Sequence, residues 1–184
     1  MAIAKNENEL LEQSLSYWWF YEKAHELRFA AHEILIVFKN NFPGNLNDRI
    51  KVNGLGHSFM LIMALSIENL IKSRVTMQIL SSQNNFKHIG DIVELWQKKK
   101  IAHDVLKLTT AYNIDLTSEE RELILRYKPF MIWAGRFMLP NKKNEIIEVL
   151  SRSEHHTFKQ VDLQIIDGLF ERMRVEMGAS EIKG

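Results

Sequence analysis

The sequence predicts an all-α fold, an up-and-down bundle of four long helices with short helices between them. Three observations carry that prediction. Apolar residues recur at three- and four-residue steps over long stretches, the period of a helix with one buried face. Only three prolines and eight glycines fall within 184 residues. Capping residues also stand where the periodic stretches start and stop. The length suits one domain spanning 1–184, with flexible tails at 1–7 and 178–184. A chain this long buries roughly 70% of its unfolded surface, so it needs neither a disulfide nor a metal to fold.

The first long helix is expected over Asn8 to Phe38, where Ala24, Leu27, Ala31, Ile34 and Phe38 make one apolar stripe. Tyr17, Trp18, Trp19, Phe20 and Tyr21 surround this helix with rings, so some of them should meet another element or another subunit. Asn40 to Gly54 reads as a loop, because it holds Pro43-Gly44 and several asparagines. The second long helix is expected over Gly56 to Leu80. Its broad apolar face (Phe59, Met60, Met63, Ala64, Ile67, Leu70, Ile71) suits the centre of a bundle.

Ile89 to Trp96 fits either a helical turn or an extended piece, and a short helix follows over Ala102 to Tyr112. Thr117 and Glu120 have the spacing of a capping box at the start of the third long helix. Pro129 predicts a kink or break near Lys128, and Gly135-Arg136 an end. Lys142 to Leu150 suits a short helix. Ser153 is placed to cap a last helix over Glu154 to Met177, with Gly178 as its glycine cap.

Bulk properties remove several function classes. The absence of cysteine excludes disulfide scaffolds, thiol nucleophiles, zinc fingers and iron–sulfur clusters, and fits a cytoplasmic protein. The N-terminus lacks a signal-peptide core. Phe59 to Ile71 is interrupted by Ser66, Glu68 and Asn69, too short and polar a stretch to span a bilayer, so no membrane partner is expected. A net charge of +1 gives no global attraction to nucleic acid. Lys98, Lys99 and Lys100 read as a solvated run. There is no P-loop, no Gly-x-Gly-x-x-Gly and no Gly-x-Ser-x-Gly elbow. Glu22 and His25 have the Glu-x-x-His spacing of a di-iron site, but no second pair exists, so no metal or other cofactor is expected.

Three places can carry chemistry. Glu68 and Lys72 are four residues apart in an apolar helix, either a structural ion pair or part of a site. His103-Asp104 opens a short helix; the histidine can act as acid or base, and the aspartate can simply complement the helix dipole. Trp133 and Arg136 close the proline-containing helix, where arginine suits phosphate and tryptophan can stack on a base.

The order of these pieces resembles the HEPN superfamily. Tyr21-x-x-Ala24 with Ala30-Ala31 looks like its first helix, and Leu65-Ser-Ile-Glu68-Asn-Leu-Ile-Lys72 like its Glu-x-x-x-Lys helix. His103-Asp-Val-Leu-Lys-Leu108 is similar to its His-Asp-Leu element, and Trp133-Ala-Gly-Arg136-Phe137 to its Ala-Gly-Arg-Tyr-Pro ending. Ala102 stands where glycine often precedes the histidine, Phe137 replaces tyrosine, and Pro140 comes late. The ribonuclease motif of that family, arginine then four to six residues then histidine, is absent: Arg28–His32 and Arg152–His156 each have three between.

The resemblance implies a four- to five-helix bundle from bacteria or archaea, commonly dimeric, that binds nucleotide or RNA in toxin–antitoxin or antiviral defence. Three readings follow. In the first, Glu68, Lys72, His103, Asp104, Trp133 and Arg136 line a nucleotide or RNA site. In the second, His103 is the general base and Arg136 the phosphate stabiliser of a metal-independent ribonuclease. In the third, the cluster only orients helices and an aromatic surface serves a homodimer or protein partner.

Overall fold

The computed structural model describes residues 7–40, 46–82, 85–131 and 158–179, and these are all-helical, without a strand. Seven helices follow in order: α1 Glu7–Ser14, α2 Trp18–Asn40, α3 Leu46–Ser82, α4 Ile89–Lys98, α5 Val105–Ala111, α6 Ser118–Pro129 and α7 Val161–Glu176.

The 37-residue α3 is the axis of the molecule, with α2, α5, α6 and α7 packed against it. From Phe59 to Leu80 none of its residues is exposed. Its apolar residues point all round because neighbours cover every side. It runs from Leu46 to Ser82, so the loop expected up to Gly54 is shorter, the helix is longer than the expected Gly56 to Leu80, and its apolar part extends beyond Phe59 to Ile71. By length and composition Ile50–Ser82 is sufficient to cross a membrane. The Cβ that Gly56 lacks would stand 3.4 Å from the Phe38 ring, so this glycine, expected at the helix start, marks a close helix contact within α3. Ser66 Oγ donates to the Ala24 carbonyl at 2.6 Å. Together these two contacts set α2 antiparallel to α3.

The expected first helix is divided in two. Ser14 Oγ turns back to the Leu11 carbonyl, and Ser16 Oγ accepts the Trp18 N–H, so local hydroxyls end α1 and start α2. Ser14 Oγ also accepts the Ile89 N–H, tying α1 to the start of α4. The ring cluster divides as the sequence suggests. Tyr21 is buried, Trp18 packs on Tyr21 and Phe20 on Trp96, while Trp19 stays 58% exposed.

The ambiguous segment after residue 88 is the helix α4, which buries Ile92 and Trp96 on one side. The capping box of α6 forms as the spacing predicts: Glu120 N–H donates to Thr117 Oγ1, and Thr117 N–H to the Glu120 carboxylate. The helix continues through Lys128 to Pro129 and then widens into a π turn at Phe130–Met131. The last helix starts at Val161, later than expected, and Ser153 and Lys142 to Leu150 lie outside the described residues.

Three helices end in the same left-handed cap. In each, two N–H groups close back on the last turn: Lys100 and Ile101 after α4, Asn113 and Ile114 after α5, Gly178 and Ala179 after α7. The left-handed residues are Lys100, Asn113 and Gly178, with φ of 56°, 51° and 60°. Glycine and asparagine accept this geometry readily; lysine does not.

Candidate functional site

The buried middle of α3 carries one carboxylate, Glu68, only 4% exposed in its side chain. Its Oε1 accepts the Lys72 ammonium at 2.5 Å, one turn along the helix. The same oxygen faces His103 Nδ1 at 3.1 Å. Lys72 is 12% exposed and lies 6.0 Å from the centroid of the buried Trp96 ring. Such a pair is retained in an apolar helix only because each charge satisfies the other. Yet Oε2 of Glu68 is buried with no hydrogen-bond partner among the described residues. A carboxylate with one oxygen used twice and the other unused is an incomplete network.

His103 differs from its partner in exposure: its side chain is 67% accessible. Nδ1 is engaged by the carboxylate, which orients the ring and leaves Nε2 as the nitrogen available to a ligand. The turn between α4 and α5 sets this position. Ile101 and Ala102 anchor it in the core, and the left-handed Lys100 reverses the chain before them. Asp104 then caps α5, accepting the Lys107 N–H at 3.2 Å. Its other oxygen takes Lys128 Nζ at 3.1 Å and faces Lys107 Nζ at 3.8 Å. Asp104 thus does what the dipole reading expects and also gathers two lysines.

Two shallow hollows flank this turn. One, of about 320 Å³, is lined by Gln97, Lys100, Ala102, His103 and Asp104. The other, of about 410 Å³, is lined chiefly by Ile101, Lys107, Thr110 and Lys128, again with Asp104 in its wall. Each reaches the lower end of the volume range of small-ligand sites. Three lysines, Lys100, Lys107 and Lys128, stand in walls that hold one carboxylate, Asp104, so cations outnumber anions along the rim. The basic run expected to be simply solvated is divided: Lys98 pairs with Glu94 in solvent, Lys99 lies 5.6 Å from the Tyr112 ring, and Lys100 lines a hollow.

The structure therefore brings together Glu68, Lys72, His103 and, beside them, Asp104. Trp133 and Arg136, and with them Phe137, Pro140, Arg152 and His156, lie outside the described residues. Lys100, Lys107 and Lys128 are the members sequence reasoning missed. Lys128 comes 24 positions after Asp104, beyond any helical spacing, so only the α5–α6 packing reveals it.

A second set of charges sits on α6 and α7. Asp162 is fully buried; it binds Arg126 and accepts the Lys159 N–H at 3.0 Å. Glu120 accepts two Arg172 donors, and Arg172 also reaches Glu176 at 2.7 Å, which in turn binds Arg74 of α3. These contacts set α7 antiparallel to α6. Burial and the nearby Asp162 carboxylate push the Tyr127 hydroxyl well above the usual phenol range.

On α2, His25 lies between the rings of Tyr21 and Phe170, at 4.6 and 5.1 Å between centroids. Burial and then Arg28 hold its pKa below the usual histidine value, and the same causes, chiefly burial, lower that of His32. Arg28 itself stacks on Phe170 and pairs with Asp167 of α7. His25 and His32 are thus core-edge residues.

Comparison with known protein families, with curated proteins and with solved structures gives no match to this chain.

Proposed function

We propose that this chain is a HEPN-like nucleotide- or RNA-binding protein, an up-and-down four-helix bundle whose binding surface is the α4–α5 turn and its lysine rim. The pairwise directions of α2, α3, α6 and α7 support the bundle. The observation that carries the function is the incomplete Glu68 network, which holds an exposed imidazole in the wall of the first hollow, beside a second whose wall carries Lys107 and Lys128. A site of neutral hydrogen bonds would suit many ligands; lysines around an oriented imidazole suit phosphate. In the resemblance, Glu68, Lys72, His103 and Asp104 supply four of the six expected residues, and Trp133 and Arg136 would supply the stacking ring and the phosphate fork. A cytoplasmic role in prokaryotic defence or a toxin–antitoxin pair goes with that resemblance. A homodimer or protein partner would use the exposed Trp19, Phe29, Ile36 and Val37 of α2.

Titration of the purified protein with AMP and with a fluorescein-labelled oligoribonucleotide tests this. Saturable binding of either, weakened several-fold by His103→Ala, is the expected result. No saturable binding of either ligand at low salt overturns the reading.

One observation favours a metal-independent ribonuclease as the second reading. The Glu68 carboxylate orients His103 as a carboxylate orients a general base. Nε2 would take the proton of a ribose 2′-hydroxyl. The 2′-oxygen would bond to the adjacent phosphorus as the 5′-oxygen leaves and takes a proton from water. Incubation of total RNA in EDTA, beside His103→Ala and Arg136→Ala, decides it: cleavage by the unmodified protein alone supports this chemistry, and intact RNA in all lanes removes it.

A further inference from the structure

The two hollows are separate concavities, yet they share one wall residue, Asp104. Each has its own nitrogen-bearing side chains. Lys100 and His103 stand in the first, Lys107 and Lys128 in the second. Lys100 makes no ion pair among the described residues and holds a left-handed backbone where glycine would be easier. The cap hydrogen bonds from Lys100 N–H to the Gln97 carbonyl and from Ile101 N–H to the Trp96 carbonyl hold that backbone, and the Lys100 side chain stands in the wall of the first hollow. In the second hollow the cations are already occupied, because the Asp104 carboxylate draws Lys128 to 3.1 Å and Lys107 to 3.8 Å. An anion that enters there meets lysines held in place by an internal carboxylate and competes with that carboxylate for them.

We infer that the two hollows are two phosphoryl subsites of one ligand, an oligonucleotide strand that crosses the α4–α5 turn, and that Asp104 is the internal anion it displaces. This rests on the binding function proposed above and sharpens it: the ligand carries at least two phosphates, and a mononucleotide fills only half of the site. Lys100 with His103 would hold one phosphate, and Lys128 with Lys107 the next. Asp104 keeps its second task, capping α5 through the Lys107 N–H, while its lysines turn to the ligand.

The test uses fluorescence anisotropy with a labelled hexanucleotide of single-stranded RNA, with unlabelled AMP and the dinucleotide pApA as competitors. Four proteins are compared: the unmodified chain, Lys100→Ala, Lys128→Ala and Asp104→Asn. The hexanucleotide and pApA should bind about tenfold or more tighter than AMP, because two linked contacts reinforce each other. Lys100→Ala and Lys128→Ala should each weaken the hexanucleotide and reduce the salt slope of its affinity by about one. Asp104→Asn should tighten it several-fold, since asparagine still caps the helix but no longer holds the lysines or repels phosphate. A gain in affinity cannot come from misfolding, so this arm stays readable if a lysine variant is unstable. Equal affinity for AMP, pApA and the hexanucleotide would leave the binding function standing and overturn the two-subsite inference. Weaker binding by Asp104→Asn would overturn the role of Asp104 as the displaced anion. Failure of every ligand to bind the unmodified chain would remove the binding function itself.

Discussion

Two of the carboxylates buried among the described residues, Asp162 and Glu68, sit in opposite kinds of surroundings. Asp162 is closed: one oxygen binds Arg126, the other takes a backbone N–H at the start of α7, and its side chain has no exposed surface. Glu68 is open: one oxygen carries both Lys72 and His103, the other has no partner among the described residues, and the imidazole it holds faces outward. Charge burial costs the same kind of free energy in both places. At Asp162 the return is the docking of α7 on α6. At Glu68 the Lys72 contact stays within one helix, while the His103 contact reaches the α4–α5 turn. Both Asp162 oxygens are used and one Glu68 oxygen is not, but Arg126 Nε beside Asp162 is also buried without a partner among the described residues, so the exposed imidazole held by Glu68 is what distinguishes the candidate site from the closed cluster.

The strongest way to break this comparison is at its closed end. Asp162→Ala leaves Arg126, 11% exposed, without a counter-charge and removes the N–H acceptor of Lys159. Loss of about 3–5 kcal/mol is expected in urea unfolding, as for one half of a buried pair, while ligand affinity of the folded fraction stays unchanged. A loss under about 1 kcal/mol would mean that Arg126 finds solvent and that the cluster is not closed.

Glu68→Gln should cost less, about 1–3 kcal/mol, because the amide still accepts a hydrogen bond while Lys72 loses its counter-ion. The double variant Glu68→Gln/Lys72→Met should recover most of that loss, since a neutral apolar replacement removes the buried charge altogether. If that stable double variant bound ligand as well as the unmodified chain, Glu68 would be as purely structural as Asp162.

The open site was partly legible in the sequence because its first contacts are local or anchored. Glu68 and Lys72 share a helix face by spacing alone, and a carboxylate within so apolar a stretch signals a partner. His103-Asp104 was marked by its place at a helix start. The Asp104–Lys128 contact was not legible, since it depends on how α6 packs beside α5. The fold followed a similar division. Periodicity placed α3 at the centre, and the Thr117–Glu120 spacing located α6. The division of α1 from α2 was missed because two serine hydroxyls, and no proline or glycine, make it. The early start of α3 was missed because Pro43-Gly44, the asparagines and Gly54 suggest a loop, and Gly56, expected to open the helix, lies inside it and makes room for a ring.

A pH titration sharpens the comparison further, because both α2 histidines lie outside the proposed site. His25 and His32 are held below the ordinary value of 6.5 by burial and by Arg28. The unfolded chain therefore binds more protons than the folded one just below that value. Their stabilising effect is full above pH 6.5 and declines as the pH falls through their folded values. Thermal unfolding should move to lower temperature between pH 7 and 5, and His25→Phe, which keeps a ring between Tyr21 and Phe170, should lessen the slope. An unchanged slope in that variant would assign the effect elsewhere.

Smaller still is the effect of relieving the left-handed lysine. Lys100→Gly should add about 0.5 kcal/mol, the removal of backbone strain being partly offset by the freedom glycine gains in the unfolded chain. Asn113→Gly is the control: asparagine already tolerates this geometry, so its stability should barely move and its ligand affinity not at all. Lys100→Gly should gain stability and lose affinity together. A gain without a loss would place Lys100 among ordinary helix ends.

The last comparison has the least effect on folding and the most on function. His103 is 67% exposed, so His103→Ala should change stability by no more than about 0.5 kcal/mol, the range of ordinary surface substitutions. Affinity for an oligonucleotide should nevertheless fall, because the nitrogen presented at the rim is gone while Glu68 and Lys72 keep their pair. His103→Gln separates position from charge, since its amide can reach the same carboxylate but cannot take up a proton. If glutamine restores binding, the ring serves as a hydrogen-bonding fixture. If binding returns but a cleavage activity does not, His103 is the acid–base group. A wholly silent His103→Ala would make the Glu68 cluster another helix clamp, and the difference between the two carboxylates would be one of packing alone.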